Sequence, residues 1–287
     1  MSNIKLFMNQ DSVKAKMAEM LGEKRATQFI ASVIQVANSS SLLSKAEPVS
    51  VFNAAAMAAT LDLPLNNSLG FAYIIPYNNR QPDGTTKTVA QFQIGYKGFI
   101  QLALRSGQFQ TVSAAPVYEG QLVSQNPLTG FEFDWENKKS DSLLGYAGYF
   151  KLINGFEKTI FMTVDQLNKH GKRFSKTYSK SNSLWQNDFE SMAIKTVIKL
   201  LLSKYAPLSI EMQSAVIADQ SLVNNFETQD VSYIDIDETE INKEAERIYL
   251  LIEQAGSKED LLKLESEVSK HESLIDAYEV KLQSYEN

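Results

Sequence analysis

The chain has 287 residues, of which 44% are hydrophobic and 22% are charged, proportions that are typical of a globular protein. It contains no cysteine, which excludes disulfides, a thiol nucleophile and a thiolate metal site. There is no signal-peptide pattern at the start and no apolar run of about 18 residues, so we expect a cytoplasmic protein without a membrane partner.

The net charge of -6 is divided unevenly along the chain. Residues 1–224 carry 22 Lys and Arg against 17 Asp and Glu, net +5, whereas residues 225–287 carry 6 against 17, net -11. Within the first part, residues 169–204 hold eight basic and two acidic side chains. This asymmetry predicts a polyanion-binding core followed by an acidic appendage. Ordinary solvated charge on a helix and its loop is the alternative.

Helical periodicity fills the first 63 residues. One apolar face lies around Met17, and a stronger one recurs through residues 29–37. Pro48 suits the first turn of a third, alanine-rich helix, which Pro64 ends. We therefore expect three helices before the first strand.

From residue 69 the pattern changes to that of strands. The stretches GFAYIIPY (70–77) and TVAQFQIGY (88–96) are separated by turn residues, which favours a long-looped hairpin. A helix is expected over residues 98–106, with Gly107 placed as its C-terminal cap. Further strands are expected at 111–118, 131–136, 145–153 and 157–163. An Asn-Gly pair joins the last two and predicts a second hairpin.

The last third of the chain returns to helices. Thr163 and Gln166 fit a capping box that opens a short helix, and a basic loop leads to a long helix from about Leu184 to Tyr205. The predicted fold class is α+β, with N-terminal helices, a small antiparallel sheet with a hairpin and crossing helices, and a helical C-terminal module. The predicted divisions are a core (1–218), an acidic linker (219–238) and the module (239–287).

The sequence offers little for enzyme chemistry. His170 and His271 are the only histidines, which excludes a histidine-rich metal site, and no P-loop pattern occurs. Glu119, Glu136 and Lys138 are a set that could hold Mg²⁺ in a nuclease. Glu136 and Lys138 also alternate with aromatic residues, as the solvated face of a strand does. A metal-dependent nuclease therefore stays as an alternative function.

Three polar side chains follow the first strand-to-helix junction at a spacing of four: Lys97, Gln101 and Arg105. On a helix they would lie along one face about 6 Å apart, beside the free amides and partial positive charge of the helix N-terminus. This spacing is comparable to that of phosphates along a nucleic-acid strand, so the row predicts binding of a polymer. The alternative, a phosphate-cradling GYKG loop, lacks the glycine spacing of the nucleotide fingerprints.

Two more groups of cations lie further along the chain. Lys195 and Lys199 share one stripe of the long helix and could face the same groove as Arg105. Phe174 and Tyr178 interleave with cations in the basic loop, a mixture typical of a single-strand site. The predicted nucleic-acid contacts are Tyr96, Lys97, Gln101, Arg105, Lys169, Lys172, Arg173, Lys176, Lys195 and Lys199. For each residue alone, a core aromatic or a solvated lysine is the alternative.

Three stretches together resemble the RecT family of phage and prophage recombinases: LDLPLNNSLGFAYIIPY, QFQIGYKGFIQLALRSGQ and DFESMAIKTVIKLLLSKYAP. The resemblance extends from about residue 20 to residue 215. It implies a non-catalytic protein of DNA recombination that binds single-stranded DNA and anneals complementary strands to a duplex without ATP. It also implies a homo-oligomer, as a ring or a helical filament, and a core similar to those of Redβ and Rad52.

The resemblance further implies a bacterial cytoplasmic location, no required cofactor, and a C-terminal module that contacts a phage exonuclease or the host single-strand binding protein. Whether Mg²⁺ modulates DNA binding is left open by the resemblance. Phosphate contacts are then expected from Lys97, Arg105, Lys195 and Lys199. Gln101 is expected to bind backbone or sugar, and Tyr96 to stack or pack at the groove wall. A generic nucleic-acid-binding scaffold is the second alternative function.

Overall fold

The computed structural model describes residues 3–80, 85–126, 129–175, 177–181 and 183–232, with separate positions and short stretches between 248 and 285. The chain divides into two compact units, Met1–Ile234 and Asp235–Asn287. The predicted α+β class is confirmed, because helices and small antiparallel sheets are combined in the described chain. No helix in these ranges is long and apolar enough to cross a membrane.

Helices form the beginning of the first unit. They are α1 (Asn3–Met8), α2 (Asp11–Leu21), α3 (Glu23–Asn38), a 3₁₀ turn (Leu43–Lys45) and α4 (Pro48–Thr60). Pro48 opens α4, as predicted. Helix α4 is buried at almost every position from Val51 to Ala59, because its alanines let neighbouring backbones approach closely. It packs against β2 (Thr86–Ile94) and is the central helix of this unit.

The predicted hairpin and the helix after it are both present. Strand β1 (Ala72–Arg80) pairs antiparallel with β2 in an unbroken register, and α5 (Tyr96–Arg105) follows after one residue. Helix α5 begins two residues before its predicted start. Gly107 adopts a φ of 70° just beyond its end, the conformation expected of a capping glycine. The turn residues 81–84 of the hairpin lie outside the described residues.

Close packing explains the two glycines at the start of α5. A Cβ at Gly95 would collide with the carbonyl oxygen of Gly70, and one at Gly98 would collide with that of Phe71. The Gly95 N–H donates a hydrogen bond of 3.0 Å to the Phe71 carbonyl, which holds the chain before β1 against this junction. The glycines of GYKG therefore allow close backbone packing, and the structure gives no reason to read them as a phosphate cradle.

A second sheet lies beyond α5. It has the antiparallel order β3 (Phe109–Tyr118), β6 (Leu143–Leu152) and β7 (Glu157–Thr163), and the separate pair β4 (Leu122–Asn126) and β5 (Gly130–Phe133) accompanies it. Strand β4 was not predicted, because its residues are mostly exposed and polar and show no apolar alternation. A Cβ at Gly148 would lie 2.5 Å from Val197 Cγ1, so a helix crosses this sheet at close range.

That crossing helix belongs to a group of three. They are α6 (Val164–Phe174), α7 (Leu184–Asn187) and α8 (Phe189–Tyr205). The predicted capping box is confirmed, with Gln166 N–H donating to Thr163 Oγ1 at 3.2 Å and Thr163 N–H to Gln166 Oε1 at 3.0 Å. The prediction of one continuous helix from Leu184 to Tyr205 is wrong in one respect. Asp188 leaves the helical conformation and accepts the Ser191 N–H, which separates α7 from α8.

The predicted linker begins too early. Helix α9 (Ile210–Ala218) is followed directly by the strands β8 (Leu222–Asn225) and β9 (Asp230–Ser232). Gln220 N–H donates to the Phe92 carbonyl and Phe92 N–H to the Ser221 carbonyl, which joins this segment to β2. Residues 219–232 therefore belong to the first unit. The sequence did not show this, because composition does not reveal whether a polar residue is hydrogen-bonded within the fold or solvated. Residues 233–238 lie outside the described residues.

The second unit has its own small apolar core. Its described helices are Lys258–Leu262 and Glu265–Val268. The buried side chains are Ile248, Ile252, Leu261, Val268, Leu274 and Tyr278. Five of these six, all but Leu274, belong to apolar residues that recur at helical spacing in this part of the sequence, as expected of a helical module. The partner-binding role of residues 239–287 stays a prediction.

Candidate nucleic-acid interface

The polar row of α5 lies on the exposed face of that helix. Lys97, Gln101 and Arg105 are all exposed. The opposite face is buried through Phe99 and Leu102, which fixes the orientation of the helix on the core. Tyr96 is half-buried and packs against the core at the start of the row. The helix therefore presents Lys97 and Gln101 to solvent on a rigid element, as the sequence predicts.

Arg105 has a structural role in addition to its place in the row. Its guanidinium donates to the Leu61 carbonyl at 2.6 Å and to the Asp62 carbonyl at 3.0 Å, and lies 3.6 Å from the Asp62 carboxylate. Asp62 also pairs with Arg25. These interactions tie α5 to the two residues that directly follow α4. Arg105 is therefore only partly available to bind a phosphate.

Lys195 and Lys199 meet at one buried carboxylate, that of Asp219. Lys195 Nζ lies 3.0 Å from Asp219 Oδ1, and Lys199 Nζ lies 2.7 Å from Asp219 Oδ2. Asp219 Oδ1 also accepts the backbone N–H of Ile94 at 2.8 Å. The Asp219 side chain is 0% exposed, that of Lys195 10% and that of Lys199 25%. This network, the Asp219 cluster, joins α8 and the end of α9 to the residue just before the α5 junction.

Burial and charge act in opposite directions within the Asp219 cluster. Burial by itself would raise the pKa of Asp219, but the two ammonium groups and the Ile94 N–H outweigh it and hold that pKa below its usual range. Burial lowers the pKa of Lys195, and neighbouring Lys199 adds to this, against the opposing effect of Asp219. The carboxylate is thus charged at neutral pH, with two basic side chains beside it.

This geometry corrects the prediction for Lys195. Its ammonium is buried and bonded to Asp219, so Lys195 is less accessible to a strand than the prediction assumed, and its role in DNA binding stays a prediction. Lys199 retains partial exposure and remains a candidate for phosphate binding. Sequence reasoning missed Asp219, which it placed in the acidic linker. No local pattern marks this carboxylate, because its burial depends on strands and helices that are distant in sequence.

The cations Lys169, Lys172 and Arg173 are exposed, and the last two, which were predicted to lie in the basic loop, belong to α6. Lys169 is 3.2 Å from Asp165 in a surface pair. Lys172 Nζ lies 6.0 Å from the centroid of the Tyr178 ring, and Arg173 stands 5.1 Å from the ring of Phe174. The predicted mixture of cations and flat rings is therefore present on α6 and the turn that follows it. Lys176 lies outside the described residues.

His170 lies on α6 between these cations and the Asp219 cluster. Its ring centroid is 4.6 Å from that of Phe174. Burial, followed by the nearby charges of Lys199 and Arg173, lowers the pKa of His170 to about 4. The imidazole is therefore neutral at pH 7 and carries no positive charge into the interface.

We expect His170 to make the protein less stable as the pH falls from about 6.5 to 4. The unfolded chain binds a proton on this histidine near its ordinary pKa of 6.5, whereas the folded protein does so only near 4, so acid favours the unfolded state across this window. Allowing for the partial exposure of the ring, the loss between pH 7 and pH 5 should be about 1 kcal/mol.

Urea unfolding at both pH values measures this effect. The variant His170→Gln should lose less stability than the natural protein between pH 7 and pH 5, and His271 is common to both chains. Equal losses in the two proteins would contradict the assigned environment of His170.

The acidic set considered for a nuclease is not assembled as a metal site. Strand β5 ends at Phe133, so Glu136 and Lys138 do not alternate on a strand as expected. Lys138 pairs with Asp141 at 2.6 Å, and Glu119 accepts a hydrogen bond from the Ser140 hydroxyl at 2.7 Å. Within the described part of the chain, no three His, Cys, Asp or Glu side chains are grouped as a metal ion requires. The geometry therefore gives the nuclease alternative no support.

Comparison with known proteins identifies the family. The sequence matches the RecT family over residues 27–236. The chain belongs to the RecT family. It is 31% identical over 233 residues to Protein RecT of Escherichia coli (strain K12), covering 76% of this chain and 81% of that protein. It is also 48% identical over 219 residues to the uncharacterized protein YqaK of Bacillus subtilis (strain 168), covering 76% of this chain and 72% of that one.

RecT family membership confirms the resemblance read from the three sequence stretches. It implies single-strand annealing in recombination, DNA binding and oligomerisation, and annealing proteins of this family are generally non-catalytic. The matched region runs from α3 past β9 and includes all ten residues predicted to bind nucleic acid. Residues after 236 lie outside the match, so the partners of the C-terminal module stay a prediction.

Proposed function

We propose that this protein holds single-stranded DNA by its backbone and anneals complementary strands without ATP. The observation that carries the proposal is the RecT family match across the first unit. The exposed cations of α5 and α6 support it, because interactions with phosphates dominate the affinity of proteins for nucleic acid. The absence of a P-loop pattern from the sequence is consistent with annealing that does not use ATP.

In this proposal, different residues have different roles. Lys97 and Gln101 bind phosphate and sugar from α5, with Tyr96 at the wall of the site, and Arg105 contributes in part. The cations of α6 and the loop after it form a second binding set: Lys169, Lys172, Arg173 and Lys176. Because these residues address the backbone, the bases stay free to pair, and sequence choice comes from Watson–Crick complementarity.

The remaining features of the proposal concern assembly and partners. Subunits assemble on DNA into a ring or a helical filament. No cofactor is required, and Mg²⁺ acts at most as a modulator. The C-terminal module, within a region of net charge -11, binds a phage exonuclease or the host single-strand binding protein.

The test is annealing of two labelled complementary oligonucleotides by the purified protein, without ATP, in a salt series and with EDTA or Mg²⁺. We expect rapid duplex formation that weakens as salt rises, and none with a non-complementary pair. Binding of DNA without faster annealing would favour the scaffold alternative. Degradation of DNA that requires Mg²⁺ and is lost in Glu136→Ala would favour the nuclease alternative.

A further inference from the structure

A cavity opens between α6 and α8 beside the Asp219 cluster. Its volume is about 220 Å³. One part of its lining consists of apolar and aromatic side chains. The other part consists of basic side chains and uncharged polar ones. The residues that matter here are His170, Phe174, Trp185, Lys195 and Lys199. Ligand pockets for drug-sized molecules are typically larger, at about 300–1,000 Å³, so this cavity suits a single small unit.

The charge of the cavity wall favours an anion. Two basic groups, of Lys195 and Lys199, share the single carboxylate of Asp219, so basic groups are in excess of acidic ones in this network. Among the described residues, the cavity lining contains no Asp or Glu. Lys195 is buried to about nine-tenths, while Lys199 is more exposed and can turn a donor towards a ligand. A phosphate oxygen would compensate this excess with a charge-assisted hydrogen bond.

The apolar part of the lining favours a flat ring. Phe174 is 43% exposed and Trp185 is buried at 5% exposure, so one ring lies at the rim and the other in the wall. The imidazole of His170 is neutral at pH 7 and lies 4.6 Å from the Phe174 ring, measured between centroids. Aromatic faces of this kind stack on nucleobases with little regard to sequence.

We propose that this cavity binds one nucleotide unit of the DNA strand, with its phosphate on Lys199 and its base against Phe174. The inference rests on the DNA binding of the proposed function. The proposal adds a site in which one base is bound by the protein and is therefore not available for pairing with the complementary strand. An extended strand is too large for the cavity, so neighbouring nucleotides lie outside it.

The chain offers a built-in reporter for this site. It has two tryptophans, Trp185 in the cavity wall and Trp135 at an exposed position on a different element. The variant Trp135→Phe leaves Trp185 as the sole tryptophan. Its fluorescence is then followed during titration with thymidine 5′-monophosphate, thymidine, inorganic phosphate and a short oligothymidylate.

We expect saturable quenching by thymidine 5′-monophosphate and by the oligonucleotide, and weaker binding of thymidine. In the Trp135→Phe background, Lys199→Gln should weaken binding of the monophosphate about tenfold, and Phe174→Leu should weaken it to a similar extent. Matched controls are Lys204→Gln, which removes an exposed charge from the same helix, and Phe156→Leu, which removes an exposed ring elsewhere. Both controls should bind like the parent.

Three results would overturn the proposal. The first is no saturable change of Trp185 fluorescence while the oligonucleotide still binds by anisotropy, which would leave the annealing function standing. The second is an equal loss of affinity in Lys199→Gln and Lys204→Gln, which would refute phosphate binding by Lys199. The third is equal affinity for inorganic phosphate and thymidine 5′-monophosphate, which would refute stacking of the base. A chain that neither binds the oligonucleotide nor anneals strands would instead refute the proposed function.

Discussion

Replacing Asp219 with Asn should lower the free energy of unfolding by about 3–5 kcal/mol at pH 7. The substitution keeps the size of the side chain but removes the only charge that opposes Lys195 and Lys199 within the Asp219 cluster. Lys195 would then be a buried ammonium without a counter-charge, which is among the most costly arrangements in a protein interior. Urea or guanidinium unfolding of the purified variant measures the loss.

The control is a similar substitution at an exposed pair. Asp165→Asn removes the partner of Lys169, but both side chains are about three-quarters exposed, so the change should stay within about 1 kcal/mol. Raising the pH should restore part of the stability of Asp219→Asn, because the folded protein gains when Lys195 loses its proton. Equal, small losses in the two variants would contradict the buried network.

Replacing Gly98 with Ala should destabilise the protein by about 2 kcal/mol, although alanine is the better helix former. Helix propensity alone predicts a gain of up to about 1 kcal/mol for this substitution. The added methyl group would instead collide with the Phe71 carbonyl and lie 2.6 Å from Ile94 Cγ2. Since one of these neighbours is backbone, relief requires α5 to move away from the chain before β1.

The matched control is Gln101→Ala on the exposed face of the same helix, where the new methyl group meets solvent and the stability should stay equal or rise slightly. Thermal or urea unfolding of both variants and of the natural protein measures these changes in stability. A Gly98→Ala protein at least as stable as the natural one would show that packing does not require glycine here. Movement of α5 should also weaken single-strand binding in Gly98→Ala, because this helix carries Lys97.

Local patterns were sufficient to predict much of this fold. The capping box at Thr163, the glycine after α5 and the first hairpin were all predicted, because each depends on neighbouring residues. The polar row of α5 was predicted for the same reason, since helical spacing places its members on one face. Strand β4 was not, because its exposed polar residues carry no periodic signal.

Prediction failed where distant segments meet. Lys195 reads as a surface cation and Asp219 as part of a linker, yet the two are bonded in the interior. Burial of a charged pair depends on the tertiary arrangement of α8 and α9, which composition and periodicity do not encode. The cavity beside them was equally hidden, because its aromatic and basic walls come from separate helices.

In the proposed function, the exposed cations of α5 and α6 bind phosphates of a single strand. The most direct test is the salt dependence of oligonucleotide affinity in a triple variant, Lys97→Gln, Lys169→Gln and Lys172→Gln. The control variant carries the same charge change on exposed lysines of the N-terminal region: Lys14→Gln, Lys24→Gln and Lys45→Gln.

Removing each phosphate-binding lysine should flatten the slope of log affinity against log salt by about 0.7, so the slope of the triple variant should be shallower by about 2. The control should keep the slope of the natural protein, since its net charge changes equally but away from the proposed interface. The same slope in all three proteins would contradict the claim that these residues hold the strand.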